Sequence, residues 1–444
     1  MSVLRSGHVV GAMLMALCLA ASATPAAADH AAGRVQIAKP AESGFDRFTS
    51  SPSSRQKSWM ASRYWRMRVY LPYFDARLSW FSNAWGYQNL YAIYPDDTIA
   101  STRPEWILKD SGDRRLYIPF GCGDGTCPQY AGDVGNPAFR SHWIDRARRM
   151  HAAGYRGIFV DDVNLAMEVS DGHGRSVAPI DPRTRTTMTL DNWQRYVAEF
   201  TEQLRAALPA DFEIVHNHVY FHAGLDNAWA RRAIDAATHL EIERGVIDAG
   251  VVGGTGRWGF ATLLAWADHA HARGKGVIWD AQSTWGREYQ LATYFLAGNG
   301  RDAMSHPDGS DPDNWWSGYD VDLGRPLGQR YSSNGVFRRD FQNGIVLVNQ
   351  PGQTTKTLRL GRKHKNLAGS TVTSVTLPAR EGAVLLRPGA TPAPATAASR
   401  TRPRSGRRRH PASGGRRSRS AARTTPAQPR DGARAFRRPV VAGR

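Results

Sequence analysis

Gly157-Ile158-Phe159-Val160-Asp161-Asp162-Val163-Asn164 is the stretch that decides how the chain reads. Four small or apolar residues run straight into two adjacent carboxyls. A strand buried on both faces shows such an unbroken apolar run, and strands of that kind belong to parallel sheets. In a closed α/β barrel the carboxyl end of a strand opens on the face that carries the active site. The run therefore predicts an enzyme that works with carboxyls. Side chains alternate along a strand, so Gly157, Phe159 and Asp161 share a face. Asp161 is expected in the barrel mouth as the catalytic carboxylate, with Asp162 as a hydrogen-bonding, substrate-positioning neighbour.

On either side of this run, between roughly 62 and 310, strand-like and helix-like segments alternate. The strand candidates are 68–74, 90–94, 115–120, 157–161, 212–217, 237–242, 276–280 and 301–305. Asn136-Pro137 reads as a cap and first-turn proline, with Gly154 as the stop. Asp191 and Asp226 read as the caps of the next two helices. Strand then helix, repeated over about 250 residues, predicts a (β/α)₈ barrel over 61–328, with an open doubly wound sheet as the competing topology. From 329 to 388 the pattern changes to short β-type runs broken by Gly, Asn and Pro, which reads as a small antiparallel β domain.

The two ends differ from this body. Residues 1–28 carry one Arg, an apolar stretch and a final Ala26-Ala27-Ala28, which reads as a secretory signal peptide cut after Ala28. Residues 29–60 read as a polar lead-in. Residues 389–444 hold fifteen Arg and one Asp. That tail accounts for +14 of the chain's net +19 and leaves only about +4 for 29–388. Such a segment cannot offset its ordering entropy by burying apolar surface, so it reads as disordered. Its charge suits contact with an anionic surface. The nearly neutral body argues against specific nucleic-acid recognition, no apolar stretch is long enough for a transmembrane segment, and the chain reads as a monomer. In an exported protein, Cys122 and Cys127, flanking a four-residue loop, are expected to form a disulfide.

Further acids end the later strands. Leu240-Glu241-Ile242-Glu243 places Glu241 and Glu243 on one face, where inward carboxyls are costly unless paired or functional. Asn217 and His216 end the fifth strand and Asp280 the seventh, and all three are expected to position substrate. Two carboxyls across a barrel mouth suit glycoside hydrolysis, in which one protonates the leaving oxygen and the other attacks the anomeric carbon or activates water. Aromatic residues in the loops suit the apolar faces of sugars, with Trp285 and Tyr94 assigned to the substrate. No cofactor is called for.

Gly157–Asp162 resembles the fourth-strand signature of glycoside-hydrolase-like barrels. Tyr91-Ala92-Ile93-Tyr94-Pro95, Pro104-Glu105-Trp106, Phe337-Arg338-Arg339-Asp340-Phe341 and Gly344-Ile345-Val346-Leu347-Val348-Asn349 resemble a group with a trailing β domain. That group is the hypothetical glycosyl hydrolase family fifteen-like proteins, similar to polygalactosaminidase-type barrels. The resemblance spans about 60–388. It implies that Asp161 is the family aspartate and that Glu241 or Glu243 is the sixth-strand acid. The expected function is hydrolysis of an extracellular or cell-wall polysaccharide by a secreted protein. Two rivals stand beside it. A metal-dependent polysaccharide deacetylase would use the Asp161-Asp162 pair with His218 and His222. A non-catalytic carbohydrate-binding barrel would use the same mouth without turnover.

Overall fold

The computed structural model describes residues 32–40, 49–218, 223–281, 285–305 and 315–389. The signal-like segment, almost all of the Arg-rich tail and His222 lie outside them. Eight parallel strands close into a barrel: β1 (Ile37–Pro40), β2 (Arg66–Val69), β3 (Ala84–Asn89), β4 (Gly157–Asp161), β5 (Glu213–Asn217), β6 (His239–Ile242), β7 (Gly276–Trp279) and β8 (Ala303–Ser305). The ring closes where β1 pairs with β8, Ile37 beside Met304 and Ala38 beside Ser305.

Two expectations are corrected here, and they offset one another. Residues 115–120 form no barrel strand; Tyr117 makes only isolated bridges to Tyr130 and Ser170. The true first strand, Ile37–Pro40, lies in the segment read as a lead-in. The third strand also sits earlier than 90–94, at Ala84–Asn89. Gly157–Asp161 nevertheless remains the fourth strand in the ring.

Helices cover the outside of the barrel. Pro137–Ala153 begins where the Asn136 side chain accepts from the Ala138 and Phe139 amides, and it stops at a left-handed Gly154. Thr189 caps Leu190–Ala206 and Asn227 caps Ala228–Ala236, each displaced by one or two residues from the acid expected to do so.

Inside the barrel, side chains stack in layers, as alternation along each strand requires. Arg66 and Glu213 lie at the amino end. Ala38, Trp85, Phe159, Val215, Ile278 and Ala303 fill the middle. Two residues further along these strands lie Arg68, Tyr87, Asp161, Asn217 and Asp280. This regular two-residue step carries the functional side chains into the mouth.

Six antiparallel strands follow: β9 (Tyr331–Ser333), β10 (Val336–Phe341), β11 (Gly344–Asn349), β12 (Lys356–Lys365), β13 (Thr371–Leu377) and β14 (Glu381–Leu386), in the order 9-10-11-14-12-13. The sheet packs on helix Arg287–Ala297. Glu288 accepts from the Val384 amide at 2.9 Å, and Arg339 Nη1 donates to the Phe295 and Gly298 carbonyls at 3.0 and 2.6 Å. Among the described residues no helix is long and apolar enough to cross a membrane.

Candidate active site

Asp161 closes β4 with both carboxylate oxygens engaged. The Tyr87 hydroxyl donates to Oδ2 at 2.5 Å, and the Asn217 amide donates to Oδ1 at 2.8 Å. The backbone then turns sharply. Asp162 has φ 54°, and its amide returns to Asp161 Oδ1 at 2.9 Å. That turn aims the Asp162 carboxyl sideways, where Asn89 donates at 2.6 Å and Asn164 at 3.2 Å. Burial, and next the negative charge of Asp161, push the Asp162 carboxyl up to about 7.

Glu243 lies one residue beyond β6. Arg244 and Gly245 are both left-handed, with φ 62° and 54°. A Cβ on Gly245 would stand 2.3 Å from the Asp280 carbonyl oxygen, so only glycine lets the chain pass there. This turn holds Glu243 over the mouth with its side chain 45% exposed. Desolvation, followed by the charge of Asp161, raises its pKa, while the Asn217 hydrogen bond opposes the rise.

Asn217 joins the two acids. Its Nδ2 donates to Asp161 at 2.8 Å and to Glu243 Oε2 at 3.3 Å. Amide hydrogens diverge by about 120°. That angle sets the two acceptor oxygens about 5 Å apart, and no angle takes them beyond about 6 Å.

Glu241 lies deeper, 4% exposed, with Arg68 Nη1 3.1 Å from its Oε1. Burial pushes it up to about 8 despite the arginine, and Asp280, Asp161 and Glu243 add to the rise. Asp280 accepts from the Arg244 amide at 3.0 Å and from the Ser305 hydroxyl. The charges of these carboxylates, Glu241 first, outweigh the desolvation of Arg68 and hold it cationic.

The structure thus brings Asp161, Asp162, Asn217, Glu241, Glu243 and Asp280 together. His216 belongs elsewhere. It alternates with the inward Val215 and Asn217, so it faces the helices, fully buried, and desolvation holds it down at about 3. His218 is also buried and stacks on Trp266, a residue of the outer helix Phe260–Ala272. Its partner in the metal reading, His222, lies outside the described residues. Tyr94 is 41% exposed and lines a cavity of about 190 Å³ that also touches Tyr70, Tyr87 and Asn89. Trp285 is 55% exposed on the loop that follows β7. Cys122 and Cys127 are disulfide-bonded.

Arg68, Tyr87 and Asn89 join the site without having been singled out by the sequence reading. The alternation Arg66-Met67-Arg68-Val69 carries the overlooked signal: two basic residues on the inner face of a short strand.

The model of hypothetical glycosyl hydrolase family 15 matches residues 66–345, nearly two thirds of the chain. The chain belongs to this family. Family membership supports cleavage of glycosidic bonds and matches the resemblance carried by Gly157–Asp162. None of the curated proteins compared with the chain matches it. Solved structures similar to this family member include the glycoside hydrolase domain of PelA from Pseudomonas aeruginosa, at 15% identity and TM-score 0.39, over 62% of this chain and 96% of that one. The maltogenic α-amylase AmyB from Thermotoga neapolitana is 11% identical with TM-score 0.47, over 79% and 98%. An isomalto-dextranase from Arthrobacter globiformis is 12% identical with TM-score 0.45, over 82% and 74%. These likenesses are too distant to assign a substrate or a residue role.

Proposed function

We propose that the protein is a secreted, retaining glycoside hydrolase of an extracellular or cell-wall polysaccharide. Asp161 is its nucleophile and Glu243 its acid/base. The supporting observation is the single Asn217 amide that reaches both carboxyls. Retaining enzymes hold their two carboxyls about 5–5.5 Å apart, whereas inverting enzymes need about 6.5–9.5 Å to admit a water. The two oxygens that Asn217 bridges, about 5 Å apart, favour the first range.

In the first step Asp161 attacks the anomeric carbon while protonated Glu243 gives its proton to the leaving oxygen. The bond from Asp161 to the sugar forms as the glycosidic bond breaks. In the second step Glu243, now ionised, takes a proton from water, and the water displaces Asp161. Tyr87 and Asn217 orient the nucleophile. The raised pKa of Glu243 suits a group that must start protonated. Asp162 and Asp280 position the substrate, Glu241 accepts the hydrogen bond from Arg68 beneath it, and Tyr94 and Trp285 offer rings to neighbouring sugars.

The secreted protein should be screened on a polysaccharide panel, with the first-formed anomer read by proton NMR. Retention is expected, and Asp161→Ala and Glu243→Ala should each lower turnover by orders of magnitude with the fold intact. An inverted first product, or near-parental rates in either variant, overturns the assignment. Export itself is tested by N-terminal sequencing, with Asp29 as the expected first residue.

A further inference from the structure

Strand β12 pairs in register with β13 from Lys356 to Arg359, loses the register, and resumes it at His364 opposite Val372. Gly361 sits in the gap at φ 69°, a left-handed conformation open to glycine. A bulge of this kind bends a strand and re-aims its side chains. Here the gap borders a cavity of about 160 Å³ whose walls carry Arg338, Arg362, Arg387, Asp340 and His364, with Ile345 and Leu360 between them.

Three guanidiniums share this cavity with one carboxylate. Asp340 is already taken: Arg338 donates to it at 2.7 Å and the Tyr331 hydroxyl at 2.6 Å. The side chains of Arg362 and Arg387 form no ion pair or hydrogen bond with any described residue. Arg362 is exposed and Arg387 acts on Asp340 only through its charge, so neither guanidinium has a hydrogen-bonded acid beside this concavity. Burial, together with the charges of all three arginines, lowers the His364 pKa against the opposing hydrogen bond to the Arg362 carbonyl. Planar guanidiniums pair with oxyanions such as carboxylates and phosphates through two parallel hydrogen bonds.

The geometry points to an oxyanion-binding site on the trailing sheet, which holds a carboxylate of an acidic polysaccharide. The oxyanion chemistry rests on these residues alone, and the choice of a glycan as carrier rests on the hydrolase reading. Arg387 follows β14 directly and stands just before the Arg-rich tail, so the cationic cavity is continuous in sequence with a further fifteen arginines. Such a site would hold an acidic chain on the protein while the barrel acts on it.

The test uses the full chain with ¹³C-labelled histidine. The His364 ring resonance is followed while trigalacturonate, a neutral trisaccharide of galactose or inorganic phosphate is added. Trigalacturonate should move the resonance saturably and the neutral sugar should not. An Arg362→Ala/Arg387→Ala variant should bind trigalacturonate at least about tenfold more weakly, with turnover of a small soluble glycoside unchanged. An unmoved resonance, an equal response to the neutral sugar, or undiminished binding by the variant overturns the site. Tighter binding of phosphate than of trigalacturonate overturns the glycan as carrier. Turnover of the polysaccharide panel by the parent tests the hydrolase reading separately, so a failed titration with intact turnover counts against this site alone.

Discussion

Replacing Asn217 by alanine is the most direct test of the paired-acid site. The amide is buried and makes two hydrogen bonds to acids, at 2.8 Å to Asp161 and 3.3 Å to Glu243. A hydrogen bond to a charged group contributes about 1.5–3 kcal/mol, and the longer contact is taken as about 1 kcal/mol. The loss of about 2.5–4 kcal/mol corresponds to a fall in kcat/KM of about 100- to 1000-fold. The pH profile adds a second readout that a purely structural role would leave unmoved. The Asn217 hydrogen bond lowers the Glu243 pKa against desolvation and the charge of Asp161. Without it that pKa rises further. A general acid works only while protonated, so the rate falls as pH climbs through its pKa. The basic limb of kcat/KM should therefore move to higher pH in Asn217→Ala. Initial rates on an aryl glycoside across a pH series measure both quantities. A kcat/KM within threefold of the parent, or a basic limb displaced to lower pH, would refute the reasoning.

Tyr87→Phe removes one donor from Asp161 and should lower kcat/KM by about 10- to 100-fold, with Tm unchanged; a large fall in Tm would show a structural role instead. Glu213 lies two layers below the mouth, where Arg66 and Trp85 hold its carboxyl down at about 2 from an ordinary 4.5. A depressed acid stabilises the fold above its unfolded pKa, so about 3 kcal/mol should be present above about pH 4.5 and lost as pH falls toward 2; urea unfolding of Glu213→Gln against the parent at pH 7 and pH 2.5 checks this, and equal stability at pH 7 would refute it. Glu241 has the opposite sign. With its pKa raised to about 8, ionisation is disfavoured in the folded state, so the parent should lose stability relative to Glu241→Gln as pH rises from about 4.5 to about 8; a difference that does not vary with pH would count against it.

The later strands were legible because apolar residues lead in each toward an acid or amide at or just past the strand end: Asp161 after Ile158-Phe159-Val160, Asn217 after Ile214-Val215, Glu241 and Glu243 around Ile242, and Asp280 after Val277-Ile278-Trp279. Ile37–Pro40 escaped notice because it is four residues long and half of it is Lys39 and Pro40; Lys39 is fully buried, 5.9 Å from the Tyr64 ring. Strand β3 was misplaced for a functional reason. Tyr87 and Asn89 serve the acids, so the polar side chains that build the site erased the hydrophobic signal that would have located the strand. The run 115–120 alternates like a strand, but it pairs only with other loop segments, Tyr130 in the loop after β3 and Ser170 in the loop after β4. His216 was within reach of the alternation rule, because Asn217 beside it must point the other way. Arg68 was harder to see. Arginines in a strand usually signal an exposed face, and only the closed ring turns Arg66 and Arg68 inward.

Glu213 and Glu241 lie in the same barrel interior yet end at opposite extremes, and the difference is one of counting charges. Glu213 has Arg66 and Arg156 for itself, with an indole N–H besides. Glu241 has Arg68, whose charge is shared with Asp280 and Asp161. Desolvation opposes both ions alike, so the number of cations per carboxyl decides which acid gives up its proton. At the amino end of the strands the acid is neutralised and serves the fold. At the carboxyl end Asp161, Glu241, Glu243 and Asp280 share Arg68 and the rim residue Arg244 with Asp162 beside them, and three of the five, Asp162, Glu241 and Glu243, have raised pKa values. Protons therefore collect at the end that opens to substrate. A hydrolase of this type needs a proton donor there, and the surplus of carboxyls over guanidiniums supplies one.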